Sequence, residues 1–156
     1  MNDAYFMRET IRLSQEGMNK NAGGPFGAVI VKDQVIIGRG YNQVTSLHDP
    51  TAHAEINAIR DACRQIEHFS LENCVIYTSC EPCPMCLAAI YWARIRRIVY
   101  GNTRADAAAI DFDDDWIYRE VSLPLPERFV PMEQVLASEA IQAFEAWRKK
   151  LDKMAY

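Results

Sequence analysis

Residues 74–93, CVIYTSCEPCPMCLAAIYWA, carry the two signals on which the fold turns. Cys74 to Thr78 is a short apolar run of the kind that forms a buried strand, and Pro84 to Ala93 reads as a helix. Ile98 to Tyr100 follows as a further strand. Upstream, Asp49-Pro50-Thr51 leads into a helix whose apolar positions Ile56, Ile59, Cys63 and Ile66 keep helical spacing. Before that, Ala28-Val29-Ile30-Val31 and Val35-Ile36-Ile37 form a hairpin around Lys32-Asp33-Gln34. Residues 3–20 place Phe6, Leu13 and Gly17 near one face, with Met7, Ile11 and Met18 beside it, as an amphipathic helix does; Gly23-Gly24-Pro25 breaks it. A proline-rich stretch (Pro124, Pro126, Pro131) leads to a last helix at about 138–150. Strands and helices alternating after a hairpin predict an α/β fold, a mixed sheet with helices on both faces.

Length and composition bound the function. The chain has 156 residues, enough to bury about 70% of its unfolded surface as a single domain, 1–156. Apolar residues make up 49% and charged residues 24%, the balance of an ordinary globular protein. No apolar run reaches the length of a membrane span, and the polar, acidic opening does not read as a signal peptide. A cytoplasmic protein without a membrane partner is therefore expected. Five cysteines, an odd number, three of them within seven residues, argue against a disulfide scaffold. The net charge of −4 disfavours a nucleic-acid partner, because phosphate contacts need a basic surface. The basic clusters Arg94, Arg96, Arg97 and Arg148, Lys149, Lys150, Lys153 read as solvated surface, the second also complementing a helix C-terminus.

The chemistry lies in His53-Ala54-Glu55 and, thirty positions on, in Pro82-Cys83-Pro84-Met85-Cys86. Both fall at helix starts. An i, i+3 cysteine pair in a first turn puts both sulfurs on one side, and helix N-termini favour thiolates. His53, Cys83 and Cys86 would give zinc three ligands and leave a fourth position for water, the arrangement of a catalytic site. Glu55, two residues after His53, can reach that water without being a ligand and shuttle its proton. A closed structural site would need a fourth ligand, and Cys80, in register with Cys83 and Cys86, is the residue available; otherwise Cys80 is a strand end packed behind the metal. Cys63 and Cys74 read as core thiols, and His48 and His68 as loop histidines.

The pattern H-x-E followed by P-C-x-x-C is the signature of zinc-dependent nucleobase deaminases. With GGPFGAVIV, PTAHAEINAIR, YTSCEPCPMCLAAIYWA, FDDDWIY and AFEAW before a terminal tyrosine, the chain resembles the cytidine-deaminase superfamily, specifically its small bacterial guanine deaminases. The resemblance implies a three-layer α/β/α sandwich around a five-stranded mixed sheet, one Zn2+ per chain held by His53, Cys83 and Cys86, and Glu55 as proton shuttle. It further implies that Asn42 bonds the base, Phe26 and Trp92 line an aromatic pocket, Asp114 is a second catalytic carboxylate, and Tyr156 closes the site. The run of aspartates leaves open which of Asp113, Asp114 and Asp115 faces the pocket. The reaction implied is hydrolysis of guanine to xanthine and ammonia, a step of purine catabolism. Cytosine, an aminotriazine or adenosine in tRNA is the competing substrate. A homodimer is implied, in which the segment 124–156 closes its own or a partner's site.

Overall fold

The structure is a computed structural model that describes residues 2–156. Helix α1 (Asp3–Asn19) starts at Asn2, whose side chain accepts from the Tyr5 N–H. Strands β1 (Gly27–Lys32) and β2 (Val35–Tyr41) form an antiparallel hairpin, with a register shift between Ile30 and Val31. The hairpin turns through Asp33 and Gln34, both at positive φ (48° and 65°), the two-residue geometry that matches strand twist. A short helix α2 (Val44–Leu47) and helix α3 (Ala54–Gln65) come next. Then follow β3 (Val75–Cys80), α4 (Pro84–Trp92), β4 (Arg97–Asn102), α5 (Arg104–Ala108) and α6 (Asp114–Ser122). A 3-10 turn (Leu125–Glu127) and α7 (Ala137–Lys149) complete the chain.

The sheet order is β2-β1-β3-β4, with β1 antiparallel to both neighbours and β3 parallel to β4. The fold is α/β with a mixed sheet, as expected. Among the described residues the sheet has four strands, which corrects the expected five. The chain after β4 has no sequence for a fifth. Thr103 and Asp106 form a reciprocal capping box that starts a helix directly after β4, alanines 105 and 107–109 favour it, and the prolines further on lack ladder donors.

Alternation along the strands sorts the core into two clusters. Phe6 and Leu13 of α1 pack with Val29, Val31 and Tyr77 on one face. Ala28, Ile30 and Ile76 pack with α3, α4 and Ile95 on the other. Fully buried Ile30, Ile76 and Ile90 each contribute about 1.5–3 kcal/mol. The buried stripe of α3 is Ala54, Ala58 and Ala62, whereas Ile56, Ile59, Cys63 and Ile66, expected as its apolar face, are half-buried. Sheet geometry is the cause. A Cβ on Gly40 would lie 2.3 Å from the Ala54 carbonyl oxygen, and one on Gly38 2.5 Å from that of Ala58. Backbone meets backbone there, so only alanine fits, and the start of α3 is seated against β2.

The chain divides into two compact units, 1–118 and 119–156. The first holds the sheet and both clusters. In the second, residues 129–156 are exposed, including Phe129, Phe144 and Leu151. No helix among the described residues is long and apolar enough to cross a membrane.

Candidate active site

Two helix starts meet in the first unit. His53 is the N-cap of α3 and Cys83 the N-cap of α4, with Pro84 at the first helical position and Cys86 in the first turn. The Cys86 N–H donates to Cys83 Sγ at 3.5 Å, a cap made by sulfur. His53 Nδ1 lies 3.6 Å from Cys83 Sγ and 3.5 Å from Cys86 Sγ. A tetrahedral zinc with N at about 2.05 Å and S at about 2.3 Å spaces such atoms roughly 3.6 Å apart, so the donor set fits the ion. Among the described residues these three are the one group of His, Cys, Asp or Glu close enough to share a metal. Cys80 is outside it. It ends β3, its thiol donates to the Thr103 carbonyl at 3.6 Å, and burial pushes it up to about 11.

The three groups hold their protons unevenly. A hydrogen bond from the Cys86 thiol, then one from His53, brings the Cys83 thiol down to about 4 against its desolvation. The neighbouring Cys83 sulfur in turn pushes Cys86 up and raises His53. A ready thiolate beside an imidazole is what a zinc site needs.

Beside them opens a cavity of about 250 Å³. His53, Glu55, Cys83, Phe26, Asn42 and Asp114 all line it, together with Gly24, Val44, Thr45, Pro50, Cys80, Glu81 and Phe112. Glu55 is only 7% exposed, and burial pushes its carboxyl up to about 7. Desolvation also raises Asp114. Of the three aspartates Asp114 lines the cavity, while Asp113 Oδ1 accepts the Trp116 N–H at 3.3 Å and Asp115 lies 3.8 Å from Arg104.

Phe112 was missed from sequence because its segment reads by its acids. Its ring meets Phe26 edge to face, centroids 4.8 Å apart. An apolar ring set between aspartates in a loop was the available signal. Asn42 is buried at the end of β2, and its Oδ1 accepts from the Gly24 N–H (3.3 Å) and the Val44 N–H (3.1 Å). Two backbone donors fix the amide orientation and occupy the oxygen, so a ligand meets only its Nδ2 donor. Gly23 makes this possible, since a Cβ there would lie 2.1 Å from Asn42 Oδ1. Trp92 is not in the lining and is 63% exposed. It ends α4, eight residues or about 12 Å along the helix from Pro84, while the cavity lies at the helix start. Tyr156 belongs to the second unit.

Residues 1–102 match the family described as the cytidine and deoxycytidylate deaminase zinc-binding region. The chain belongs to this deaminase family. Its cofactor is accordingly Zn2+. Among its relatives, the guanine deaminase of Bacillus subtilis (strain 168) is 50% identical over 156 residues, all of both chains. The X-ray structure of guanine deaminase from Bacillus subtilis matches with a TM-score of 0.97 over 100% of this chain and 99% of that one. A tRNA-specific adenosine deaminase of Buchnera aphidicola subsp. Schizaphis graminum is 40% identical over 104 residues, 67% of this chain and 68% of that protein. The guanine deaminase from Nitrosomonas europaea matches at 25% identity, TM-score 0.69, over 93% of this chain and 72% of its own.

Proposed function

We infer that the protein is a zinc-dependent guanine deaminase that hydrolyses guanine to xanthine and ammonia. One observation carries the substrate. The alignment to the Bacillus subtilis guanine deaminase, 50% identical, spans all 156 residues, past the zinc region that ends at residue 102, and so covers the segment bearing Phe112 and Asp114. The match to the tRNA deaminase covers 67% of the chain and leaves part of it out.

Bound through His53, Cys83 and Cys86, zinc supplies Lewis acidity and a nucleophile at neutral pH. The remaining work falls to the side chains. Phe26 and Phe112, packed edge to face on each other, form one apolar aromatic wall against which the planar base lies. Asn42 Nδ2 donates to an acceptor on its edge. Glu55, buried and able to hold a proton near neutrality, takes the proton of the attacking water and passes it to a ring nitrogen. Asp114 accepts from guanine N–H groups and assists the departing amine. Tyr156 closes the site of its own or of a partner chain, Trp92 reaches a pocket only from a neighbouring chain, and the homodimer with exchange of 124–156 is retained in that sense. The helix-covered faces of the sheet support the three-layer α/β/α reading, and a cytoplasmic setting suits a free-base substrate.

The test is ammonia release by zinc-loaded protein with guanine, cytosine, adenine, guanosine and an aminotriazine in parallel. Guanine turnover well above the rest is expected. Preference for another base would retain the zinc chemistry and discard the assignments of Asn42, Asp114 and Tyr156. Solution scattering tests the dimer, and a compact monomer ends the exchange idea.

A further inference from the structure

Arg104 lies between the loop that leads into Cys83 and the helix that starts at Asp114. Its Nε is 3.1 Å from Glu81 Oε1, and its own backbone N–H donates to Glu81 Oε2 at 3.1 Å, so one residue engages both oxygens of a carboxylate on the cavity wall. The Glu81 N–H donates to the Asn102 carbonyl at 2.8 Å, which fastens this loop to the end of β4. On the other side, Arg104 Nη1 is 3.8 Å from Asp115, the neighbour of Asp114. Its guanidinium carbon sits 4.3 Å from the centre of the Tyr118 ring, one turn further along α6. The Tyr118 hydroxyl closes the circuit by donating to the Pro82 carbonyl at 2.7 Å, next to Cys83.

We propose that Arg104 is a positioning residue for the deamination: it ties the Glu81-Pro82-Cys83 loop to the first turn of α6 and so holds Asp114 on the cavity that Glu55 also lines. The inference rests on the assignment of Asp114 above. α6 has no buried residue of its own, so packing alone leaves its start weakly placed, whereas the guanidinium contacts Glu81, Asp115 and the Tyr118 ring at once. Only a planar, five-donor group can pair and stack together in this way; an ammonium cannot. Reacting groups misplaced by an ångström lose much of their effect, which gives such a tie its catalytic weight.

A double-substitution cycle on the zinc-loaded full chain tests this, comparing wild type, Arg104→Ala, Asp114→Asn and the double variant by kcat and KM for guanine. Arg104→Ala is expected to lower kcat/KM roughly tenfold with zinc content intact. In the Asp114→Asn background it should cost nothing more. An equal loss in both backgrounds overturns the proposal, because a merely structural residue would weaken both alike. Arg104→Lys should track Arg104→Ala, and wild-type behaviour of the lysine variant also overturns it. The same four corners are read by guanine binding in equilibrium dialysis with Glu55→Gln in every corner, so low turnover in Asp114→Asn leaves the cycle measurable. If Asp114→Asn alone changes neither binding nor turnover, the role given to Asp114 fails first, a result distinct from additivity in the cycle.

Discussion

On the α1 side of the sheet, Phe6, Leu13, Val31 and Tyr77 fill space with large side chains, whereas on the α3 side Ala54, Ala58 and Ala62 lie against Gly38 and Gly40. The polar groups differ in the same way. On the α1 side they are mutually satisfied: Tyr77 donates to Asp3 at 2.7 Å, and Asp3 also takes Arg97 at 2.5 Å. On the α3 side Glu55 is buried with its carboxyl pushed up to about 7, and a low-pKa thiol sits beside an imidazole. One face spends its residues on packing, and the other keeps its helices close and its charged groups unsettled. Perturbed groups gathered at a cavity mark a working site, and a closed polar clip marks structure. Substitutions on the two faces should therefore separate activity from stability.

The largest effect is expected at Glu55. Glu55→Gln keeps shape and zinc content but removes the proton carrier, and turnover of guanine should fall about 10³-fold. Metal analysis and ammonia release check both halves, and a wild-type rate would remove Glu55 from the chemistry. Asp114→Asn should follow with a fall of roughly 10²-fold and no change in the unfolding midpoint, since the cap on the Trp116 N–H and the pair with Arg104 are made by Asp113 and Asp115.

These two sites differ in how far they could be read from the chain. His53, Glu55, Cys83 and Cys86 are legible because a helix start turns spacing in sequence into spacing in space, and all four sit at helix starts. Asp114 came only through resemblance, and its choice over Asp113 and Asp115 needed the cavity lining. Reading the residues themselves yields four strands, the number present; the fifth came from the resemblance and met a capped, alanine-rich helix instead. Phe112 and the alanine stripe were invisible for a shared reason. Both depend on what a distant element brings close, Phe26 in one case and Gly38 and Gly40 in the other, and periodicity carries no record of that. Trp92 also came only through resemblance, and in this chain it stands at the far end of a helix about 12 Å long, outside the cavity lining.

Gly40→Ala should blur the separation on the α3 side. Its Cβ would press on the Ala54 carbonyl at 2.3 Å, so α3 must shift or the fold must yield, at about 2 kcal/mol. Because Ala54 lies between His53 and Glu55, turnover should fall together with the midpoint of urea unfolding. A variant that loses stability yet keeps full kcat would mean that the start of α3 is held by the metal ligands instead of by the sheet.

The smallest effect is expected on the α1 side, at Tyr77. Its hydroxyl is pushed up to about 12, by burial first and then by the hydrogen bond to Asp3, against an ordinary value near 10. A raised folded value means that the neutral phenol is the form the fold favours. The stabilisation is therefore complete below pH 10 and is lost as pH rises from 10 towards 12. Tyr77→Phe removes the hydroxyl and should cost about 1–2 kcal/mol at pH 7, with guanine turnover unchanged. Denaturant unfolding of the two proteins should converge across that alkaline window, since the wild type loses there what the variant never had. A constant gap up to pH 12 would make the loss one of packing, and a fall in turnover at pH 7 would show that the two faces are not independent.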